Sequence, residues 1–364
     1  MEGFDIISFL KSAVASGVSD EHLKVGYVPY VRKNGIIKKI SMDVLTKEDL
    51  DTAILEIAPT SIRDKILTRT DIDFMYGIPG CSRFRINYNR QLGQPALVIR
   101  NIPYTIPSLC ELGLPEILES VIKYQNGIIL VTGPTGSGKS TTLASLINQI
   151  STNSAKHIIT IEDPIEYVFK STKSIISQRQ VGVDTATFAD GLKFALRQDP
   201  DVIFIGEIRD RETMSAALKA AETGHLVLTT LHTNDAVQTI NRIVNMFEES
   251  NRFLVRKQLA ETLRATIAQK LIYSRKDDKR YPANEIMVVT STIKDYIAKD
   301  KPEEIYELLA SNNIDDMISM NASLLQLVTL NKLSEEEAME ASNDRNELEK
   351  MFRGVYQGTK NYYE

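Results

Sequence analysis

The run Gly133-Pro134-Thr135-Gly136-Ser137-Gly138-Lys139-Ser140 fits the spacing GxxxxGK[ST], and its residue types suit the holding of a chain of phosphates. Glycines let successive backbone N–H groups converge on an anion, and a helix N-terminus directly after them adds a favourable dipole. In that arrangement Lys139 contacts the β and γ phosphates, and the Ser140 hydroxyl holds Mg²⁺. Such a loop needs a strand before it and a helix after it. Residues 128–132 form an apolar run of strand type, and 141–150, opening with Thr141, read as a helix. A chance glycine-rich turn would not come with both flanks, so ATP and Mg²⁺ are the expected ligands.

Hydrolysis also requires a carboxylate to polarise water and an acidic group to anchor the metal. Two acidic clusters follow apolar runs. One is Glu162-Asp163-Pro164-Ile165-Glu166 and the other is Gly206-Glu207-Ile208-Arg209-Asp210. Both would stand at the C-terminal ends of parallel strands, where open α/β sheets bind ligands. Either cluster alone would also suit a solvated loop, and the phosphate loop is what makes them catalytic candidates. His225 and His232 flank the apolar run 226–231. Residues seven positions apart on one strand lie on opposite faces and too far apart to share a metal, so strand-edge histidines are the plain reading. Arg83, Arg85, Arg90 and Arg100 lie on strand-like segments with Phe84 and Tyr88 between them. They suit an exposed sheet face, a nucleic-acid patch, or guanidinium groups offered to a neighbouring subunit's phosphates.

The elements that must position these groups fall into two textures. Ile7, Leu10 and Val14 recur at helical spacing, and 25–31 followed by Arg32-Lys33-Asn34-Gly35 reads as a strand entering a hairpin. The segments 73–76, 83–88 and 96–100 also read as strands, so residues 1–100 are expected to form a small α+β domain on an antiparallel sheet. Pro103, Pro107, Gly113 and Pro115 mark residues 101–115 as a linker. From 116 to 364 apolar runs at 128–132, 158–161, 202–205 and 226–230 alternate with helical segments, the pattern of a parallel α/β sheet. From about residue 250 the chain reads as mostly helical.

Composition is that of a globular protein, with 43% apolar and 25% charged residues, and a length of 364 suggests more than one domain. The net charge of −5 disfavours a general nucleic-acid binder. The sequence shows no signal peptide and no apolar run long enough to span a bilayer, so a cytoplasmic location is expected, with no membrane insertion. Cys81 and Cys110 are too few for a disulfide framework or a cysteine zinc site.

With these motifs in hand the chain resembles the secretion ATPase superfamily of type II secretion and type IV pilus systems. The phosphate loop, the acidic box 161–166, the segment 201–210 and the histidine box Thr223-Gly224-His225 to His232 stand in the family's order. His22-Leu23, Phe84-Arg85-Ile86-Asn87 and Ala283-Asn284-Glu285-Ile286-Met287 extend the resemblance over roughly residues 20–345. Absence of a long extra N-terminal domain and of a four-cysteine zinc insertion makes it similar to the pilus retraction ATPases. One departure stands out: their C-terminal motif close to AIRNLIREGK is matched by Ile293 to Lys301, without either arginine.

The resemblance implies an N-terminal PAS-like α+β domain followed by a RecA-like P-loop ATPase domain with a helical C-terminal part. It implies Glu166 as general base, Glu207 acting on Mg²⁺ and its waters, and His225 and His232 sensing the γ-phosphate or coupling it to domain movement. It also implies a hexameric ring, in which one subunit's N-terminal domain packs on the next subunit's ATPase domain, and an inner-membrane pilus platform protein as partner. In such a ring Arg83 or Arg100 is the candidate to act across the subunit interface. The expected function is ATP hydrolysis that powers pilus retraction and twitching motility. The rivals are a pilus assembly or secretion ATPase of the same superfamily, a RecA-like nucleic-acid motor, and a nucleotide-gated scaffold without turnover.

Overall fold

Polar caps and alternating burial shape the N-terminal part of the chain. In the computed structural model, which describes residues 4–68, 70–103, 105–311 and 317–354, Asp5 caps α1 (Ile6–Ala15) by accepting from the Ser8 N–H. The buried side of α1 is Ile6, Phe9, Leu10 and Ala13. Then come β1 (Asp20–Lys24), β2 (Tyr30–Lys33) and β3 (Ile36–Lys39). Asn34 and Gly35 turn the β2–β3 hairpin with φ of 52° and 85°, the sign that two-residue hairpin loops require. The strand expected over 25–31 is mostly a turn, because Gly26 adopts φ 82° and Pro29 precedes β2.

A Thr46–Asp49 capping box opens α2 (Lys47–Ile57), and α3 (Thr60–Thr68) follows. Three longer strands complete the sheet: β4 (Asp71–Ile78), β5 (Ser82–Gln91) and β6 (Gln94–Pro103). The order is β3-β2-β1-β6-β5-β4, antiparallel throughout. Along β5 burial has a period of two, with Phe84, Ile86 and Tyr88 buried and Arg83, Arg85 and Asn87 half-buried on the other face. The inward face packs with Leu50, Ile54 and Ile57 of α2 into one apolar core. β6 continues past residue 100 because Ile102 and Pro103 still pair with Arg83 and Ser82.

By its contacts the chain divides into Met1–Thr105 with Glu166–Val168 as one unit, and Ile106–Ile165 with Phe169–Glu364 as the other. The second unit begins with α4 (Ile117–Val121), β7 (Gly127–Thr132) and α5 (Lys139–Asn153). It continues through β8 (His157–Glu162), β9 (Ile175–Gln180), α6 (Phe188–Ala195), β10 (Val202–Ile205) and α7 (Arg211–Glu222). Next are β11 (Leu226–Leu231), α8 (Ala236–Asn245), α9 (Glu249–Thr262), β12 (Leu263–Ser274) and β13 (Lys279–Val288). Five helices follow: α10 (Ser291–Ala298), α11 (Pro302–Ala310), α12 (Met320–Thr329), α13 (Glu335–Ala341) and α14 (Arg345–Phe352).

The sheet order is β13-β12-β7-β11-β10-β8-β9, with only the β12–β13 pair antiparallel. β7 lies inside it, and Ile128, Ile129, Leu130 and Val131 are each 1% exposed or less. Burial of side chains this size stabilises by roughly 1.5–3 kcal/mol each, so both faces of β7 must be apolar. Three strands of this sheet, β9, β12 and β13, are not expected from the sequence. β9, Ile-Ile-Ser-Gln-Arg-Gln, is a half-buried edge strand without an apolar run. The β12–β13 hairpin lies where the chain was expected to be mostly helical. β12 is buried on both faces from Ala265 to Gln269, and this hides the two-residue period that marks a strand. Among the described residues no helix is long and apolar enough to cross a membrane.

One buried carboxyl in the first unit makes stability depend on pH. Glu21 on β1 is fully buried, accepts from the Asn101 amide at 2.7 Å through Oε1, and has no hydrogen-bond partner for Oε2. Burial above all, with the neighbouring Asp20 charge adding to it, pushes its pKa from 4.5 up to about 8. The unfolded chain therefore loses this proton near pH 4.5 while the folded chain keeps it to about pH 8. Stability from this group is complete below pH 4.5 and is lost as pH rises through that window. Glu21→Gln keeps the amide contact without the charge, so its melting temperature relative to the parent should climb between pH 5 and pH 9. A difference that stays constant across that range would refute the assignment.

Candidate nucleotide site

β7 delivers the chain to the loop 133–140, and the first turn of α5 takes it away. Gly138 is the N-cap of α5, with φ 90°, and Gly133 has φ 139°. A Cβ at Gly133 would lie 2.3 Å from the Gln269 carbonyl oxygen, so no other residue fits there. Pro134, Thr135 and Gly136 are exposed at the tip, and Ser140 is exposed at the first turn of α5 with Thr141 half-buried beside it. The Lys139 side chain is only 8% exposed; its Nζ donates to the carbonyls of Gly133 at 2.8 Å and Pro134 at 3.0 Å. Thr132 and Ser137 have buried hydroxyl oxygens without a hydrogen-bond partner, at either end of the same turn. A fifteen-residue helix starting at the loop and the unpartnered hydroxyls of Thr132 and Ser137 suit a polyphosphate.

Parallel pairing sets what else stands at this edge. Leu231 of β11 pairs with Thr132, and Ile205 of β10 pairs with Thr229 of β11 and Ile161 of β8. The residues just past these strand ends therefore gather along the same edge as the loop. Glu207, just beyond β10, has an exposed fraction of 15% for its side chain and is ion-paired with Arg209. Its other oxygen is 3.4 Å from His232 Nε2, just beyond β11. Glu162 at the end of β8 is buried and accepts from Thr160 Oγ1 at 2.7 Å and Gln178 Nε2 at 3.1 Å. The Asp163–Pro164 peptide bond is cis, and Glu166 follows in the β8–β9 connection, half-buried.

His225 is a correction. It precedes β11, at the strand's N-terminal end, where its carbonyl accepts from the Gly127 N–H at the start of β7. Its ring Nδ1 lies 2.9 Å from the Ala220 carbonyl and 3.2 Å from the Thr223 hydroxyl. Six strand residues separate it from His232, which is on the order of 20 Å at ~3.3 Å per residue. It cannot touch a nucleotide held by this chain's own loop, and only His232 of the pair shares the loop's edge. Arg83 and Arg100 lie in the first unit. Arg100 is exposed, with Nε 2.9 Å from Asp20, and Arg83 is half-buried on β5.

Behind His232 the chain is fixed by a buried polar cluster that sequence did not single out. Asp235 caps α8 and also accepts from the Tyr306 hydroxyl at 3.0 Å, while Glu285 accepts from the Ala236 N–H at 2.8 Å. Burial pushes Glu285 up to about 7 and lowers Lys270, whose Nζ donates to the Ala341 carbonyl and to Asn343, each at 2.6 Å. Asp235 itself carries the only sequence signal, as a polar residue three positions before Gln238 at a helix start.

A family description for type II/IV secretion system proteins matches residues 83–360, and the chain belongs to that family. It is 40% identical over 337 residues to the type IV pilus retraction ATPase PilT of Pseudomonas aeruginosa, covering 92% of this chain and 97% of that protein. To a twitching motility protein of Neisseria gonorrhoeae it is 38% identical over 336 residues, 92% of this chain and 90% of the other. A crystal structure of the pilus retraction motor PilT with bound ADP superposes with a TM-score of 0.87 at 44% identity, over 96% of this chain and 100% of that one.

If the loop holds phosphates, the Lys139 ammonium must exchange two carbonyl partners for phosphate oxygens. Lys139→Ala should lower ATP hydrolysis by about 100-fold, the scale of losing charge-assisted hydrogen bonds. Steady-state phosphate release checks this, and parental turnover in the variant would sink the assignment.

Proposed function

We propose that the chain is an ATP-hydrolysing motor that powers pilus retraction. The observation that carries this reading is the shared edge of the second sheet, where the loop 133–140, Glu207 and His232 stand together in a chain similar to retraction ATPases over most of its length. Residues 133–140 with Thr141 would bind the phosphates of ATP through backbone N–H groups and Lys139. Ser140 and, through water, Glu207 are oxygen donors that suit Mg²⁺, whose charge would offset that of the phosphates. Glu166 is assigned as the base for the attacking water. His232, bonded to Glu207, would report the γ-phosphate to the end of β11. The Arg209 guanidinium and the His232 imidazole hold Glu207 in place from two sides.

The working form in this reading is a homo-oligomer, a hexameric ring whose heterologous interfaces close on themselves. Arg83 or Arg100 would reach a neighbouring subunit's phosphates. The ring would lie at the inner face of the cell membrane and act on a platform protein there. The first unit serves as the PAS-like domain and the second as the RecA-like ATPase domain, with the two moving against each other through the nucleotide cycle.

Two glutamates separate by their kinetics. A base acts only in the transition state, so Glu166→Gln should cut kcat by about 10²–10⁴-fold with Mg·ATP affinity nearly unchanged. Glu207→Gln should slow hydrolysis with a defect that depends on Mg²⁺ concentration. Single-turnover hydrolysis beside equilibrium binding distinguishes them. Normal hydrolysis by Glu166→Gln with a defect in Glu162→Gln would reassign the base. For the biological role, deleting the gene should leave cells with more surface pili; cells without pili would make this an assembly motor instead.

A further inference from the structure

Gln269 is a polar residue in the buried stretch of β12, 3% exposed, and both ends of its amide are used. Nε2 donates to the Ser137 carbonyl at 2.6 Å, and Oε1 accepts from the Thr142 hydroxyl at 2.8 Å. Only this orientation of the amide satisfies both partners, since turning it over would set oxygen against carbonyl. The residue's placement follows from register. Ala268 is the last residue of β12 paired with β7, opposite Thr132, so Gln269 stands beside Gly133 at the start of the loop. Its carbonyl oxygen is 2.3 Å from where a Gly133 Cβ would be, and its Nε2 is 2.7 Å from where a Gly138 Cβ would be. One side chain and its carbonyl therefore bear on the first glycine, the Ser137 peptide, the last glycine and the first turn of α5.

A loop that binds an anion through N–H groups must turn its carbonyls away and find them partners elsewhere. The Ser137 carbonyl belongs to the peptide whose N–H is that of Gly138, immediately before Lys139. Holding that carbonyl fixes the direction of the N–H on its other side. We propose that Gln269 is a positioning residue for nucleotide binding, which holds the peptide plane before Lys139 in its phosphate-facing orientation and ties it to α5 through Thr142. This rests on reading 133–140 as the nucleotide site. Lys270, the next residue, points its ammonium to the Ala341 carbonyl and Asn343, so the same strand joins the loop to the connection between α13 and α14.

A preformed loop holds phosphates in the ground state and the transition state alike, so its loosening raises KM and leaves kcat nearly unchanged. A residue needed only for folding gives the opposite split, with kcat falling as the folded fraction falls and KM constant. In the 364-residue chain, Gln269→Leu should raise KM for Mg·ATP and Kd for ADP about tenfold, the scale of one or two hydrogen bonds, with kcat within about twofold. Thr142→Val removes one of the two bonds with little change of shape and should weaken ADP about threefold. In the double variant the Thr142 effect should nearly vanish, because its partner is already gone. ADP affinity and KM within twofold of the parent in a folded Gln269→Leu would overturn the proposal. Should Gln269→Leu fail to fold, Thr142→Val decides: weaker ADP binding supports the role and unchanged binding overturns it. Lys139→Ala in the same titration separates the two readings. If it too binds ADP normally, the nucleotide site itself is misplaced and the proposal falls with it. If it alone loses binding, only the role of Gln269 is refuted.

Discussion

Backbone N–H groups can be aimed at an anion only if the carbonyls between them are held elsewhere, and the second unit is organised around that requirement at residues 133–140. β7 lies between β11 and β12, and Thr132 is paired on both sides, with Leu231 and with Ala268. The next residue on each strand is then level with Gly133. On one side that residue is His232, on the other Gln269. The close approach that excludes a side chain at Gly133 comes from Gln269, so the glycine's place in the motif is a packing demand as much as a conformational one. A slip of one residue between β7 and β12 would turn Gln269 to the opposite face of the sheet.

Carboxylates along the same edge differ in what holds them, and that difference suits different tasks. Glu162 is buried between two neutral donors, Thr160 and Gln178. Glu207 is less enclosed and is faced by a guanidinium and an imidazole. Glu285, also buried, is pushed up to about 7 by that burial and closes off the N-terminus of α8 behind His232. A charge with an exposed cationic neighbour can exchange it for a ligand at small cost, whereas a buried acceptor with fixed donors serves to hold geometry. Glu207 fits the first description and Glu162 the second.

In the first unit charge is arranged by strand register. Arg32, Asp20, Arg100 and Arg85 are successive cross-strand partners over four strands, so one acidic side chain stands in a row of three arginines. Exposed ion pairs of this kind contribute about 1 kcal/mol or less, and the row leaves more guanidinium than carboxylate. In the second unit the stretch that departs from the retraction motif spends its basic groups locally. Lys294 pairs with Glu261, Lys299 with Asp295 and Lys301 with Glu304.

Local chemistry was legible in the order of residues wherever it acts within a few positions. The phosphate loop, the Asn34-Gly35 hairpin and the apolar runs of β7, β8, β10 and β11 depend on backbone conformation and burial that neighbouring residues decide. The acidic ends of β8 and β10 could be placed at one edge because parallel strands all end there. Sequence set His225 and His232 at the two ends of one strand but could not say how those ends align with the phosphate loop. That follows from where β11 starts and stops against β7. Nor could it find β12, whose burial on both faces erases the alternation that marks a strand, or β9, whose two isoleucines are followed by four polar residues. Gln269 was invisible for the same reason: it lies 127 residues from Thr142 and 132 from Ser137, and only strand pairing brings them together. Residue order determined which groups could bind phosphate; the register of a parallel sheet decided which of them meet, since in such a sheet every neighbour across a strand is distant along the chain.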